Sequence, residues 1–397
     1  MYSIERVRRA IHLEEPDRVP IMRVGSAFDL LFRTDVHPMT AVPSKKYQPG
    51  WSEDEIGIFP HFDYPIGWKW KEPDWAKTPK YKNLRNQPHE EIDWWGCIWN
   101  VSGKKDTMGH PGRPSLPDWS KLDAYIDRFF PDPEDKGRFT LSLRLNRLLS
   151  RLRYRVIMPT YGPFHISANM RGFINFLIDH RKQPEKVKYL LEQITNNFIK
   201  EIKMFVKLGG KPHGVFMYED LGDQQNPFIS PAMFKEFYEP VYRRLFDTAH
   251  DFGGEFHLHC CGKIDKLIPL LIDWGLDALE LDSPRMTGYP ALKPFRGKIM
   301  IWGCVNIQSI YVKGTPEEVE REVWHMMRNL GTPKGGCGFY FYPQSHDIQT
   351  PQENIKAFAR GTKKFGRYSK IPVQWWDYPT VEEWDYNKVP PLPPINE

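Results

Sequence analysis

The chain of 397 residues has few cysteines and no long apolar run. Its five cysteines, Cys97, Cys260, Cys261, Cys304 and Cys337, are an odd number, and two of them are adjacent. That is a poor disulfide framework and suits a reducing cytoplasm, where thiols stay available to a metal. No stretch approaches about eighteen apolar residues, which excludes a membrane-spanning helix. No dense Lys/Arg block occurs and the net charge of +5 is spread thinly, so nucleic-acid binding has little support. The mild basic balance is compatible with an acidic protein partner or an anionic substrate. No G-x-G-x-x-G follows an early strand pattern, which weakens a doubly wound dinucleotide-binding reading. The opening MYSIERVRRAIHLEEPDRVP patterns as a charged amphipathic helix rather than a signal peptide.

Tryptophan and proline are abundant, at fourteen and thirty-six, and eight of the Trp fall between Trp51 and Trp119. Residues 25–130 are rich in Pro, Trp and Asp and weakly periodic. They read as a large insertion after the first strand, folded against a barrel mouth. Its aromatics either cover an irregular segment's own surface or form an aromatic-lined lid over a substrate.

From Tyr154 onward, β-branched and aromatic runs alternate with amphipathic stretches. The strand-like runs are Arg155–Thr160, His213–Glu219, Gly254–Cys261, Leu276–Leu281, Lys298–Gly303 and Gly338–Pro343. Helical spacing marks Phe164–Asp179, Pro184–Leu208, Pro231–Phe252, Lys263–Trp274 and Pro316–Leu330. Pro231 after Ser230 and Pro316 after Thr315 signal helix starts, and Gly209, Gly253 and Gly275 signal stops. Strand–helix alternation implies parallel strands with right-handed crossovers. These six units, a strand at Arg18–Val24 and one more from the N-terminal half predict an α/β fold, a (β/α)8 TIM barrel. Residues 1–370 then form one barrel domain that includes the insertion 25–130. The tail 371–397 is an extended C-terminal arm, packing on the body or on a neighbouring subunit of a homodimer.

Active sites of such barrels lie at the C-terminal ends of the strands. Those ends supply Tyr161, Glu219, Asp220, His259, Cys261, Glu280, Asp282, Cys304, Ser345 and His346. Cys337 precedes its strand and belongs at the opposite end. In His257-Leu258-His259-Cys260-Cys261-Gly262, alternation puts His257, His259 and Cys261 on one face and Cys260 on the other. His259 and Cys261 are a close pair able to hold one soft or borderline ion. His346, after the last strand, is the first choice as third ligand. Glu280 or Asp282 could complete the set, and Cys304 is a reserve. Asp220 reads as substrate-directed, and Tyr161 and Glu280 as further catalytic candidates.

Several stretches together resemble the uroporphyrinogen decarboxylase superfamily, in its corrinoid-dependent methyltransferase branch. They are Glu15-Pro16-Asp17-Arg18-Val19-Pro20, Trp95-Gly96-Cys97, Asp220-Leu221-Gly222-Asp223-Gln224, His259-x-Cys261-Gly262, Gly303–Gln308 and Thr350-Pro351-x-Glu353-Asn354. The resemblance runs through nearly the whole chain in order. It implies a barrel and one catalytic zinc per chain, held by His259, Cys261 and a downstream ligand that falls at His346, where zinc members have Cys. In decarboxylases of the superfamily a His here binds substrate instead. The Arg- and Gly-rich N-terminal motif of true decarboxylases is replaced by Met22–Phe28, which argues against a many-armed acidic tetrapyrrole.

The function implied is methyl transfer from a methylated small molecule to the cobalt of a corrinoid. No D-x-H-x-x-G motif is present, so the corrinoid must arrive on a separate corrinoid-binding protein. A methoxylated aromatic donor, undergoing O-demethylation, is the first expectation. Transfer from a methyl-corrinoid to a thiol, and a metal-free decarboxylase-like or tetrapyrrole-binding protein, are the alternatives.

Overall fold

A computed structural model describes residues 1–23, 36–39, 58–60, 87–93, 95–102, 109–158, 161–342, 348–378, 385 and 387–393. The chain divides into two compact units. The first takes Met1–Met39, Leu148–Met158 and Lys211–Glu397, and the second takes Thr40–Arg147 and Pro159–Gly210.

The first unit contains a closed barrel of eight parallel strands. In chain order these are β1 (Ile21–Arg23), β2 (Val36–Met39), β7 (Tyr154–Ile157), β8 (Gly214–Tyr218), β9 (Glu255–Cys260), β10 (Ala278–Leu281), β11 (Met300–Gly303) and β12 (Cys337–Phe341). The eighth strand, open in the sequence, is Val36–Met39. Every second residue fills the interior, as parallel strands require. Tyr154, Val156, Phe216, Ala278, Met300, Trp302 and Tyr340 form one buried cluster there. Trp302 occupies so much of this space that a Cβ on Gly338, in the neighbouring strand, would stand 2.2 Å from its ring. The helix Ser3–His12 buries Val7, Ala10 and Ile11 on one face and adds them to the same cluster. Arg6 holds the turn after this helix by a two-pronged bond to Asp17 at 2.7 and 2.9 Å.

Outer helices run Pro231–His250 and Pro316–Leu330, close to their sequence patterns, and Gln352–Phe365. Thr315 and Glu318 form a reciprocal cap at the second of them. The Lys263–Trp274 pattern yields a helix only at Ile268–Asp273, because turns occupy its first residues. The tail contains a helical turn, Val373–Trp376, that its sequence did not signal. Its Trp375 and Trp376 are buried, and Arg328 and Arg296 donate to their carbonyls at 3.0 and 3.1 Å. Further on, Arg285 and His325 reach the carbonyls of Lys388 and Pro390, so the tail packs along the body of its own unit.

The second unit carries a four-stranded sheet of β3 (Ile58–Pro60), β4 (His89–Ile92), β5 (Ile98–Val101) and β6 (His110–Pro111). The long helix Pro184–Lys207 belongs to it. The single helix expected over Phe164–Asp179 is two, Pro163–Arg171 and Phe173–Lys182. Gly172 separates them at φ +79°, and Pro114 packs so closely that a Cβ there would meet it at 2.7 Å. Buried Asp93 gathers the Trp95-Gly96-Cys97 turn, accepting from the Trp95 and Cys97 amides and from Trp99 Nε1, each at 2.9 Å. Trp95 packs edge-on against Phe130 and Phe198, and Arg171 lies over the Trp119 ring. These three tryptophans therefore cover their own unit.

Candidate metal centre

At the C-terminal ends of β8, β9 and β10, five groups come together: His259, Cys261, Asp220, Glu280 and Asp282. Register pairs Tyr218 with His259 and His259 with Glu280 across adjacent strands. His259 Nδ1 contacts the Glu280 carboxylate, which is completely buried. His259 Nε2 is turned the other way, 3.2 Å from Cys261 Sγ and 3.8 Å from Asp220 Oδ1. Asp220 also accepts from the Cys261 amide at 3.3 Å and is partly exposed. Asp282 accepts from Cys261 Sγ at 3.0 Å and from the Tyr342 hydroxyl at 2.5 Å. Cys260 points away, its sulfur accepting from the Leu221 amide at 3.3 Å.

The turn that carries Cys261 is locked by Gly262. It sits at φ +89°, and a Cβ would lie 2.1 Å from the Gly222 carbonyl oxygen. Only glycine fits so close to the neighbouring backbone at positive φ. Lys263 N–H completes the clasp by donating to the Asp223 carbonyl at 2.6 Å.

Electrostatics of the cluster favour a cation. Burial depresses the His259 imidazole, but Glu280, Asp282 and Asp220 outweigh it and raise its affinity for a proton. Burial raises Glu280, which His259 only partly offsets. The Cys261 thiol is pushed well up by burial and then by Asp282 and Asp220. Three carboxylates and a thiol thus surround one imidazole, and Glu280 Oε1 is buried with no hydrogen-bond partner.

Two overlapping sets have ligand atoms within 4.8 Å of one another, Asp220–His259–Cys261 and His259–Glu280–Asp282. The first is the more suitable, since Glu280 engages Nδ1 and leaves Nε2 directed at sulfur. Nitrogen, thiolate and carboxylate together suit a borderline ion such as zinc. A tetrahedral zinc spans about 3.6 Å between such a nitrogen and a sulfur, close to the 3.2 Å found here. The donor set fits the metal.

A pocket of ≈ 170 Å³ adjoins Cys261 and Asp282. Met286 and Ile307 give it apolar lining, and Ser283, Gln224 and Gln308 give it neutral polar lining. The Tyr218 ring packs edge-on against His259 at 4.8 Å, with Tyr340 beyond it.

Of the other residues singled out from the sequence, Tyr161 lies in the second unit. There it stacks on His165 at 4.2 Å, with Trp99 on the same stack. His346 and Ser345 fall outside the described residues. Cys304 is buried after β11 and joins neither ligand set. Cys337 opens β12 at the opposite end. His257 is held in the interior by Tyr154 and Trp302. Sequence reasoning passed over Tyr218 at the end of β8, Tyr340 on β12 and Tyr342 just after it, although Tyr340 and Tyr342 are two residues apart, as inward-facing positions of a strand are.

The uroporphyrinogen decarboxylase (URO-D) family matches residues 108–365. A methylated-thiol–coenzyme M methyltransferase of Methanosarcina mazei is 26% identical over 263 residues, 62% of this chain and 67% of that protein. A solved structure of a methyltransferase from Methanosarcina mazei superimposes with a TM-score of 0.52 at 15% identity, covering 92% of this chain and 99% of that one. That likeness bears on the fold, and the family match spans more than half of the chain. The protein belongs to the uroporphyrinogen decarboxylase family.

Proposed function

We propose that this protein is a zinc-dependent methyltransferase, moving a methyl group from a methylated small molecule to the cobalt of a corrinoid on a separate protein. The observation that carries this reading is the convergence of His259 Nε2, Cys261 Sγ and Asp220 at the open end of the barrel. Kinship with a methyltransferase agrees with it. His259 and Cys261 would hold the zinc, with Asp220 or His346 as third ligand. Bound there, zinc supplies the Lewis acidity that stabilises negative charge on a heteroatom as its methyl group leaves.

Glu280 is a positioning residue, because it stands behind His259 on Nδ1 and keeps Nε2 directed toward the pocket side. Asp282, itself held by Tyr342, fixes the Cys261 sulfur. Asp220 is the exposed carboxylate able to orient the donor or to give a proton to the departing heteroatom. The bond from methyl carbon to heteroatom breaks with its electron pair on the heteroatom, which takes the proton. Cobalt(I) of the partner's corrinoid contributes the pair for the new carbon–cobalt bond.

The pocket of ≈ 170 Å³ is comparable to a cavity of roughly 150 Å³ that takes benzene. It suits a single-ring methoxylated aromatic and is small for a tetrapyrrole. The name of the Methanosarcina relative favours a second reading, in which the methyl is carried on sulfur. The test begins with protein purified without chelator, expected to hold one zinc per chain and to lose it in both His259→Ala and Cys261→Ala. Methyl transfer to cob(I)alamin from methoxybenzenes and from methyl thioethers then separates the two donors. A folded protein free of zinc would sink the reading.

A further inference from the structure

The reading above leaves open which methyl donors the pocket accepts, and its charge addresses that. The pocket beside Cys261 is bordered by Asp282 and Asp223, and no Lys or Arg lines it among the described residues. Asp220 and Glu280 stand just behind, on His259 and Cys261. With Asp282, three carboxylates therefore crowd the His259 and Cys261 that would hold the zinc. Asp223 adds another carboxylate at the rim, where it caps the amides of Gln225 and Asn226 at 2.7 and 2.8 Å. A ligand carboxylate or sulfonate entering here would meet like charge with no cationic side chain in the lining among the described residues, which is costly in a partly desolvated site.

The pocket nonetheless has neutral polar lining. Ser283 is 4% exposed, lines the pocket, and its Oγ is buried without a hydrogen-bond partner. Such a hydroxyl calls for a ligand group that can accept or donate. Gln308 and Gln224 line the same pocket, as do Met286 and Ile307. Resting on the methyl-transfer reading, we infer that the donor is an uncharged or cationic single-ring molecule. Its far substituent is a neutral hydrogen-bonding group or an ammonium, set against Ser283 and Gln308, and carboxylated donors are excluded. The net positive charge of the chain as a whole gives no hint of this, since the local field differs in sign from the total.

Three probes sharing one methoxy group isolate the charge: 4-methoxybenzoate, 4-methoxybenzyl alcohol and 4-methoxybenzylamine. Binding to the zinc-loaded protein is measured by calorimetry, and methyl transfer to cob(I)alamin is followed in parallel. The alcohol and the amine are expected to bind at least tenfold more tightly than the carboxylate. Gln308→Arg, which introduces a cation into the pocket lining, is expected to shrink or reverse that ratio, and Ser283→Ala to weaken the alcohol. Equal or tighter binding of the carboxylate, or no binding by any probe, overturns the inference. The expected binding order without turnover would uphold the charge selectivity and count against the methyl-transfer reading instead.

Discussion

Glu280→Gln isolates the contribution of a residue that touches neither substrate nor pocket. The Glu280 side chain is fully buried and contacts His259 Nδ1, while Nε2 faces Cys261 at 3.2 Å. The substitution keeps shape and volume, so no cavity term arises. It replaces an ionised acceptor by an amide oxygen, and charge-assisted bonds are roughly twice as strong as neutral ones. Partners of this kind are worth about 10- to 100-fold in metal affinity, equivalent to about 1.4–2.7 kcal/mol. Since the amide still accepts from Nδ1–H, the lower end, about tenfold, is expected for Gln. Glu280→Ala, which removes the acceptor altogether, is expected near the upper end. Competition against a chelator of known affinity gives the zinc dissociation constant, with circular dichroism as the check on folding. A folded Glu280→Gln protein that binds zinc as tightly as the parent refutes the orienting role, and tighter binding would mean the carboxylate acts mainly as a rival for the His259 proton.

Three other outcomes test the fold beneath the site. Gly338→Ala would bring a Cβ to 2.2 Å from Trp302, and overpacking of this kind costs about 1–3 kcal/mol; a lowered urea midpoint checks it, and no change would mean the Trp302 ring moves freely. Gly262→Ala places a Cβ against the Gly222 carbonyl at positive φ. It should displace Cys261 and lower zinc occupancy more than thermal stability, and unchanged occupancy would argue that the turn is adaptable. Stability should also fall as pH rises above the ordinary histidine value of 6.5. The bond to Glu255 raises His12 above its ordinary 6.5 despite burial, so the stabilisation is complete below the unfolded value and is lost as pH climbs through the folded one. His12 is 47% exposed, which limits the effect to about 0.5 kcal/mol. His12→Ala should flatten that limb of the urea-midpoint profile, and an unaltered slope would assign it to other groups.

The barrel was legible because buried parallel strands write themselves as compact apolar runs. Glu255–Cys260 and Met300–Gly303 fall inside the runs expected for them. What escaped detection depended on contacts distant in sequence. The helix break at Gly172 answers to Pro114, and the helical turn at Val373–Trp376 to arginines on the Pro316–Leu330 helix and near β11. The sheet β3–β6 has strands of two to four residues, too short to carry a period. At the site, His259 and Cys261 were visible from their spacing, but the face of His259 that Glu280 occupies could only come from the register of β9 against β10.

His257 and His259 show how far a shared face leaves chemistry undecided. Both point inward from the same strand, two residues apart. Around His257 the next-but-one strands, β11 and β7, supply Trp302 and Tyr154. Trp302 Nε1–H donates to Nδ1 at 3.1 Å, so the proton sits on Nε2, facing the Tyr154 oxygen at 3.0 Å. Tyr154 in turn donates to Glu255 at 2.6 Å. Burial lowers this imidazole to about 4, and with both nitrogens engaged it stays neutral and has no lone pair free for an ion. One layer higher, β10 supplies Glu280 in place of Ala278, and β8 supplies Tyr218 in place of Phe216. That exchange in the flanking strands, together with Cys261 two residues on, separates a packing histidine from one whose Nε2 faces a thiol. Replacing Ala278 by a carboxylate would not by itself make His257 a ligand, because Trp302 and Tyr154 would still hold its ring.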